Sequence, residues 1–292
     1  MATATAQNQY YIPHGSHWPI VATVGVATTM VGGATWLNGA DYGRYVLIAG
    51  IVITVFMMFG WFGTVIRESE SGLYNEQVDG SFRWGMMWFI FSEVMFFAAF
   101  FGALFYARQY SMPWLGGEGH GIPTNFFLWP GFESMWPQTA NGPAHIGGEY
   151  EVMSPWGVPA INTLILLSSG VTVTWAHWGL KGGKRAQLIL GLFATVVLGV
   201  TFIVLQAYEY GHAYHELNLT LESGVYGSTF YMLTGFHGMH VTIGAIMLTV
   251  ILFRSMWGHF TPDHHFAFEG VSWYWHFVDV VWLGLFIFVY WV

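Results

Sequence analysis

The chain predicts an all-α, polytopic membrane protein with seven transmembrane helices, and three observations carry that expectation. Hydrophobic residues make up 54% of the 292 residues and charged ones only 8%, against roughly 25% charged in an average globular domain. So little charge cannot coat the chain with a water-facing shell. Apolar runs of about 20 residues, the length needed to cross a bilayer, recur seven times. The 16 Trp and 15 Tyr suit the membrane–water interface, where amphipathic rings are favoured. The formal charge of −8 is carried by the connecting segments, and eight Lys plus Arg cannot build a phosphate-binding surface, so nucleic acid is excluded as a partner. The absence of cysteine excludes disulfides, thiolate metal sites, Cys-ligated haem and a Cys nucleophile.

The expected spans are Trp18–Leu37, Tyr45–Ile66, Trp84–Tyr106, Ala160–Leu180, Ala186–Tyr210, Tyr226–Phe253 and Val271–Val292. They form a single domain over 1–292, with helices one and two at about 18–66 and a bundle of helices three to seven at about 82–292. The first 17 residues hold no Lys or Arg, so no conventional signal peptide is expected and the first span serves as its own insertion signal. The third and sixth spans are long enough to tilt or project. Residues 108–159 carry seven of the ten prolines and read as loop, not helix. Pro159 suits the first turn of the span that follows. The short KGGKR connection, Lys181–Arg185, makes spans four and five antiparallel neighbours.

The basic residues set the expected orientation. With a cytoplasmic N-terminus, Arg67, Arg83, Lys181, Lys184, Arg185 and Arg254 lie inside, and Arg44 and Arg108 outside. That distribution follows the positive-inside rule and places the C-terminus in the periplasm. Small residues mark expected helix contacts: Ala98/Gly102 and Ala99/Ala103 on the third span, and Gly235, Gly238 and Gly244 on the sixth. Ala98 and Gly102 lie about 140–180° around the helix from Glu93, so Glu93 is expected to face away from that contact.

Glu93 is the one carboxylate in the apolar run SFRWGMMWFIFSEVMFFAAFF, Ser81–Phe101. An ionisable residue at bilayer depth costs about 2.5–3.5 kcal/mol on insertion scales and marks a functional candidate. The other candidates are His237 and His240 on the sixth span and His276 and Asp279 on the seventh. Each i,i+3 pair shares a helix face. Glu209 lies near the outer end of the fifth span. Two readings stay open for this set: proton handling, or a buried interhelical hydrogen-bond network. No span contains the Glu-x-x-His pair of di-iron bundles, and His212/His215 and His264/His265 fall in loops, so no metal is expected in this chain. No lysine lies within a span, which excludes a retinal Schiff base. Arg83 and Arg254, at span ends, suit either phosphate binding or interfacial snorkelling.

Several long blocks resemble subunit III of the haem-copper cytochrome c oxidases. They are VIRES (Val65–Ser69), FRWGMMWFIFSEVMFF (Phe82–Phe97), PWGVPAINTLILLSSGVTVTWAH (Pro155–His177), QAYEY (Gln206–Tyr210), GVYGSTFYMLTGFHGMHVTIGA (Gly224–Ala245) and GHFTPDHHFAFEGVSWYWHFVDVVWL (Gly258–Leu283). The N-terminal YYIPHGSHWPI (Tyr10–Ile20) is similar to the proteobacterial members. The resemblance implies spans one and two set apart from spans three to seven by a lipid-filled cleft. It implies an aa3-type oxidase of a bacterial inner membrane, in which this subunit packs beside subunit I, with subunit II and small subunits. In such a complex haem a, haem a3 and copper belong to partner subunits, and cytochrome c is the electron donor. The chain itself then has no catalytic residue and no redox cofactor, and it supports proton uptake and stability of subunit I. Glu93 matches the family's membrane-buried glutamate, Arg83 and Arg254 match arginines that meet phospholipid headgroups, and Trp61 matches one tryptophan of the cleft lining.

Two departures limit the transfer of roles. Trp61-Phe62-Gly63-Thr64 stands where the family often has Trp-Trp-Arg-Asp, and His177-Trp178 where it has His-His. A quinol-oxidase subunit III and a free-standing proton channel are the alternative functions. The first two spans favour the cytochrome c type, because the quinol relatives commonly lack them.

Overall fold

A computed structural model describes residues 11–12, 15–137 and 149–291. Nine α-helices occur among them: α1 Trp18–Leu37, α2 Gly43–Glu70, α3 Glu76–Tyr106, α4 Met112–Leu115, α5 Ile122–Leu128, α6 Val158–Lys181, α7 Arg185–His215, α8 Gly224–Trp257 and α9 Phe266–Leu285. Seven segments are long and apolar enough to cross a membrane, and they correspond one for one to the expected spans. The chain divides into two compact units, Met1–Trp84 and Gly85–Val292. Helices α1 and α2 belong to the first and α6–α9 to the second, and the boundary falls within α3.

Most helices extend past the apolar runs that announce them. Helix α3 starts at Glu76, not Trp84, and α9 starts at Phe266, not Val271. Hydropathy marks the bilayer crossing, whereas a helix continues for as long as its backbone bonds are made. His212 and His215, expected in a loop, therefore lie in the last turn of α7. The segment after the third span is likewise not all loop: α3 continues through a π-helical turn, Ala107–Ser111, into α4, and α5 follows. Pro113 and Pro123 sit in the first turns of α4 and α5, where a missing N–H costs nothing. Residues 138–148 and Val292 lie outside the described residues, as does part of the Tyr10–Ile20 motif.

In the first unit α1 and α2 pack at near-backbone distance. Gly25 and Gly32 are seven residues apart on α1, and Gly43 and Gly50 seven apart on α2, the spacing that keeps one seam facing a partner helix. A Cβ at Gly25 would fall 2.6 Å from Thr54 Oγ1, and one at Gly50 would strike the backbone of Thr29. The indole of Trp18 donates to Thr64 Oγ1 at 3.2 Å and closes the other end of the pair.

The second unit is built around α9. Trp275, fully buried, donates its indole N–H to Ser169 Oγ on α6 at 2.8 Å. The same ring occupies notches left by Gly199 on α7 and Gly244 on α8, where a Cβ would lie 2.8 Å from it in each case. One turn-pair further on, Trp282 donates to Thr163 Oγ1 on α6 at 2.9 Å. Thr172 and Thr195 join α6 to α7 at 2.7 Å. Gln206 Nε2 donates to the Thr234 carbonyl at 3.0 Å across α7 and α8, and a Cβ at Gly238 would fall 2.9 Å from Gln206 Oε1. Gly238 and Gly244 thus serve the contacts expected of them.

The small residues of α3 do not. Ala98, Ala99, Gly102 and Ala103 are exposed, and nothing in the structure lies within 4 Å of a Cβ at Gly102. The packed face is the one bearing Glu93, Phe97 and Leu104. Ring contacts hold it: Phe89 on Tyr274, Phe96 and Phe100 on Phe236, and Phe97 on Phe277. Large aromatic spacers and one polar pair, rather than close backbone approach, attach α3 to α8 and α9.

Outside the spans, the segment before α6 is clasped to the α7–α8 connection. Glu151 N–H donates to the Leu217 carbonyl at 2.9 Å and Tyr150 stacks on Tyr226. Burial pushes the Tyr150 phenol up to about 12, so it stays neutral and acts as an apolar plate.

Gly50→Val is expected to destabilise the α1–α2 pair by at least the 1–3 kcal/mol typical of overpacking, because the added atoms meet Thr29 backbone rather than a movable side chain. Thermal unfolding in detergent measures it, with Gly63→Val, where an added Cβ meets nothing within 4 Å, as the tolerated control.

Candidate functional site

The ionisable groups at span depth fall into separate clusters, each tying one helix to another. Glu93 on α3 meets His240 on α8: Oε2 to Nε2 is 2.9 Å, with the glutamate side chain 22% and the histidine side chain 7% exposed. The other imidazole nitrogen, Nδ1, lies 2.6 Å from the Phe236 carbonyl. A carbonyl only accepts, so Nδ1 carries a hydrogen. Nε2 then has two choices. Either it holds a lone pair and Glu93, as a carboxylic acid, donates to it, or it is protonated and Glu93 is a carboxylate. Both states contain one transferable proton and both leave the pair with zero net charge. Phe96, Phe97 and Tyr274 ring the imidazole at 6.0, 5.0 and 6.4 Å between ring centres. An apolar shell tolerates such a pair where it would not tolerate either charge alone.

His237 shares the i,i+3 face of α8 with His240 but turns to a different neighbour. Its Nε2–H donates to the Val278 carbonyl of α9 at 3.2 Å, and its ring packs against Trp282 and Phe202. Fully buried and with no hydrogen-bond partner for Nδ1 among the described residues, it is a neutral wedge between α7, α8 and α9.

His276 and Asp279 form the second acid–imidazole pair, on α9 toward α6. Asp279 Oδ2 stands 3.6 Å from His276 Nδ1, and His276 Nε2 is 3.3 Å from Thr174 Oγ1. The Thr174 hydroxyl donates to the Gly170 carbonyl at 2.9 Å, so its oxygen accepts from Nε2–H and the tautomer is set. Gly170 makes room for the carboxylate, since a Cβ there would fall 2.5 Å from Asp279 Oδ2. The five candidates therefore make one pair across α3 and α8, one pair within α9 that reaches α6 through Thr174, and one wedge, not one continuous chain.

A further buried carboxylate joins α7 to the C-terminal turn. Glu209, 1% exposed, accepts from the Tyr290 hydroxyl at 2.6 Å. The sequence showed Glu209 near the end of its span, but only the fold brings Tyr290, 81 residues later, against it. Among the described residues one group, His177, His265 and Glu269, has three ligand-type atoms within 4.8 Å of one another. The i,i+4 spacing of His265 and Glu269 was the sequence signal for part of it.

At the span ends, Arg83 Nε donates to Asp79 Oδ2 at 2.6 Å within α3, leaving a third of its side chain exposed. Arg254 is buried at 6% exposure, with its guanidinium 4.6 Å over the Phe260 ring. Trp61 is half exposed and stacks on Phe62.

The fold and these pairs define a class: a seven-span helical membrane protein whose buried acids and imidazoles are matched across helix contacts. The family model of cytochrome c oxidase subunit III matches residues 8–292. Cytochrome c oxidase subunit 3 of Anopheles gambiae is 42% identical to the chain over 98% of its length and 97% of the relative's. The subunit 3 of Hippopotamus amphibius is 40% identical, covering 97% and 96%, and that of Arabidopsis thaliana 39%, covering 98% and 97%. The chain belongs to the cytochrome c oxidase subunit III family.

Substitutions at Glu93 separate the two halves of its pair. Glu93→Gln keeps a donor for a neutral His240 and is expected to leave stability within about 0.5 kcal/mol of the parent, the range of benign changes. Glu93→Leu strands Nε2 and is expected to cost about 1–3 kcal/mol. Thermal melts of the two variants in one detergent provide the comparison.

Proposed function

We propose that the chain is the non-redox subunit III of an aa3-type cytochrome c oxidase in a bacterial inner membrane, with a cytoplasmic N-terminus. The observation that carries this reading is the subunit III match along residues 8–292, and the Glu93–His240 contact between α3 and α8 is consistent with it. In this reading the chain contacts subunit I directly, alongside subunit II and small subunits. Haem a, haem a3 and copper are held by those partners, and cytochrome c supplies the electrons. The engagement of both deeply buried histidines supports the assignment of haem elsewhere, since His237 is packed between aromatic rings and His240 is bonded at both nitrogens. The presence of α1 and α2 favours this over a quinol-oxidase subunit, and the separation of the acid–imidazole pairs weighs against a self-contained proton channel.

The role we assign is support of proton uptake and of the lifetime of subunit I. A pair that is neutral in both states can move its one proton between Glu93 and His240 without placing net charge in lipid, which suits a dipole that responds to a neighbouring proton path. We further propose phospholipid contacts at Arg83, Trp61 and Arg254. Asp79 braces the Arg83 guanidinium, a bidentate match for a phosphate. Arg254, being buried, contributes chiefly by holding its helix end in shape.

Purification from native membrane should bring haem-bearing subunits with the chain, seen in the visible spectrum, and the chain alone should give no proton conductance in liposomes. Conductance by the isolated chain would sink the oxidase reading. Glu93→Gln should leave the complex assembled and O2 reduction largely intact, whereas loss of the haem spectrum would contradict a non-redox role. Arg83→Ala should lower lipid retention in native mass spectrometry and shorten catalytic lifetime; unchanged retention would count against the headgroup contact.

A further inference from the structure

From the geometry at the end of the bundle where α6 finishes and α9 begins, we propose that His177, His265 and Glu269 form a binding site for a divalent cation of the zinc class. Glu269 Oε1 is the hub. It lies 3.3 Å from His177 Nε2, 3.2 Å from His265 Nε2 and 4.0 Å from Lys181 Nζ. In a tetrahedral zinc site with metal–ligand bonds of about 2.0–2.1 Å, neighbouring ligand atoms stand about 3.3 Å apart. Both nitrogen–oxygen separations already have that length. Imidazole nitrogen with carboxylate oxygen is the donor set that suits zinc among the abundant divalent ions.

The surroundings fix the donors for a metal rather than for one another. His265 Nδ1 is 3.1 Å from the Thr261 carbonyl, which places a hydrogen on Nδ1 and directs Nε2 inward, the usual outer-shell arrangement for a metal-binding histidine. His177 Nε2 is buried and makes no hydrogen bond among the described residues. With Nδ1 holding the hydrogen, a neutral His265 turns its Nε2 lone pair on the Glu269 oxygen 3.2 Å away, an arrangement that a cation beside them resolves. The frame is rigid, because His177 sits in the last turns of α6, Glu269 in the first turn of α9, and the His265 carbonyl accepts the first-turn N–H of Phe268 and Glu269. The side chains of His265 and Glu269 are 8% and 10% exposed and that of His177 20%, so a fourth position remains reachable by water. A bound ion would clamp α6 to α9 and displace Lys181, a half-exposed cation, toward solvent.

The alternative is an ion pair without metal, in which His265 is an imidazolium bonded to Glu269. Zinc sulfate titrated into the full chain, in the detergent-solubilised assembly it purifies with and after chelator treatment, distinguishes the two. One saturable site per chain is expected, with an X-ray absorption shell of two imidazole nitrogens and one carboxylate oxygen. His265→Ala and Glu269→Gln should weaken it by at least the roughly 10–100-fold that even outer-shell losses cost. His212→Ala, which removes a His–Glu i,i+4 pair with no third ligand, should leave it unchanged. Lys181→Met, at an exposed position that folding tolerates, should tighten zinc severalfold by removing a nearby positive charge. Zinc uptake that is absent, or equal in the parent, His265→Ala and Glu269→Gln proteins, overturns the proposal, as does a Lys181→Met protein that binds zinc no better than the parent.

Discussion

The indole of Trp275 ties four helices of the second unit together. It sits on α9, bonds to Ser169 of α6 and fills the glycine notches of α7 and α8. Inside lipid no hydrophobic drive pulls one apolar helix onto another, so association rests on fit and on satisfied polar atoms. A rigid ring with a single N–H supplies both. Removing a side chain of this size from a packed core costs about 3–5 kcal/mol, and here the loss would fall on three interfaces at once. Trp282, His237 and Tyr290 repeat the device along the same side of the bundle, each carrying one polar atom across an otherwise dry contact.

Two kinds of helix contact follow from residue size. Where glycine and threonine face each other, as between α1 and α2, backbones come close and hydroxyls bond back to their own helix, for example Thr29 to Gly25 and Thr54 to Gly50. Where phenylalanine lines the face, as on α3, the backbone stands off and rings fill the gap. The polar pair Glu93–His240 then gives α3 a definite register against α8, which aromatic rings alone would specify poorly. A buried polar contact that selects one register is the best-attested structural use of such groups.

The same pairing explains how this bundle keeps acids in the membrane. Glu93 and Asp279 each face an imidazole whose other nitrogen is committed to an oxygen, Phe236 carbonyl in one case and Thr174 hydroxyl in the other. The Glu93 pair, in contact at 2.9 Å, shares a proton internally and presents no net charge to lipid, whereas Asp279 stands 3.6 Å from an imidazole that is 44% exposed. Glu209 is handled differently, by a tyrosine hydroxyl alone. One buried arrangement thus fixes a helix register and keeps an acid at bilayer depth.

Composition and apolar run length were enough to count the spans and their order, because crossing a bilayer demands about 20 apolar residues whatever the neighbours are. Glu93, His237, His240, His276 and Asp279 stood out for the same reason: charge is rare and costly at that depth. Partners were not legible. His237 and His240 share a face in sequence yet serve different helices, and Glu209 meets Tyr290 only because α9 returns beside α7. The small residues of α3 suggested a contact that the aromatic face took instead, since helical spacing shows which residues lie together but not which side is covered. The group at His177, His265 and Glu269 spans 92 positions at its widest, and only tertiary packing sets their ligand-type atoms within 4.8 Å of one another. Local physics decided what each segment is, and three-dimensional fit decided what each side chain meets.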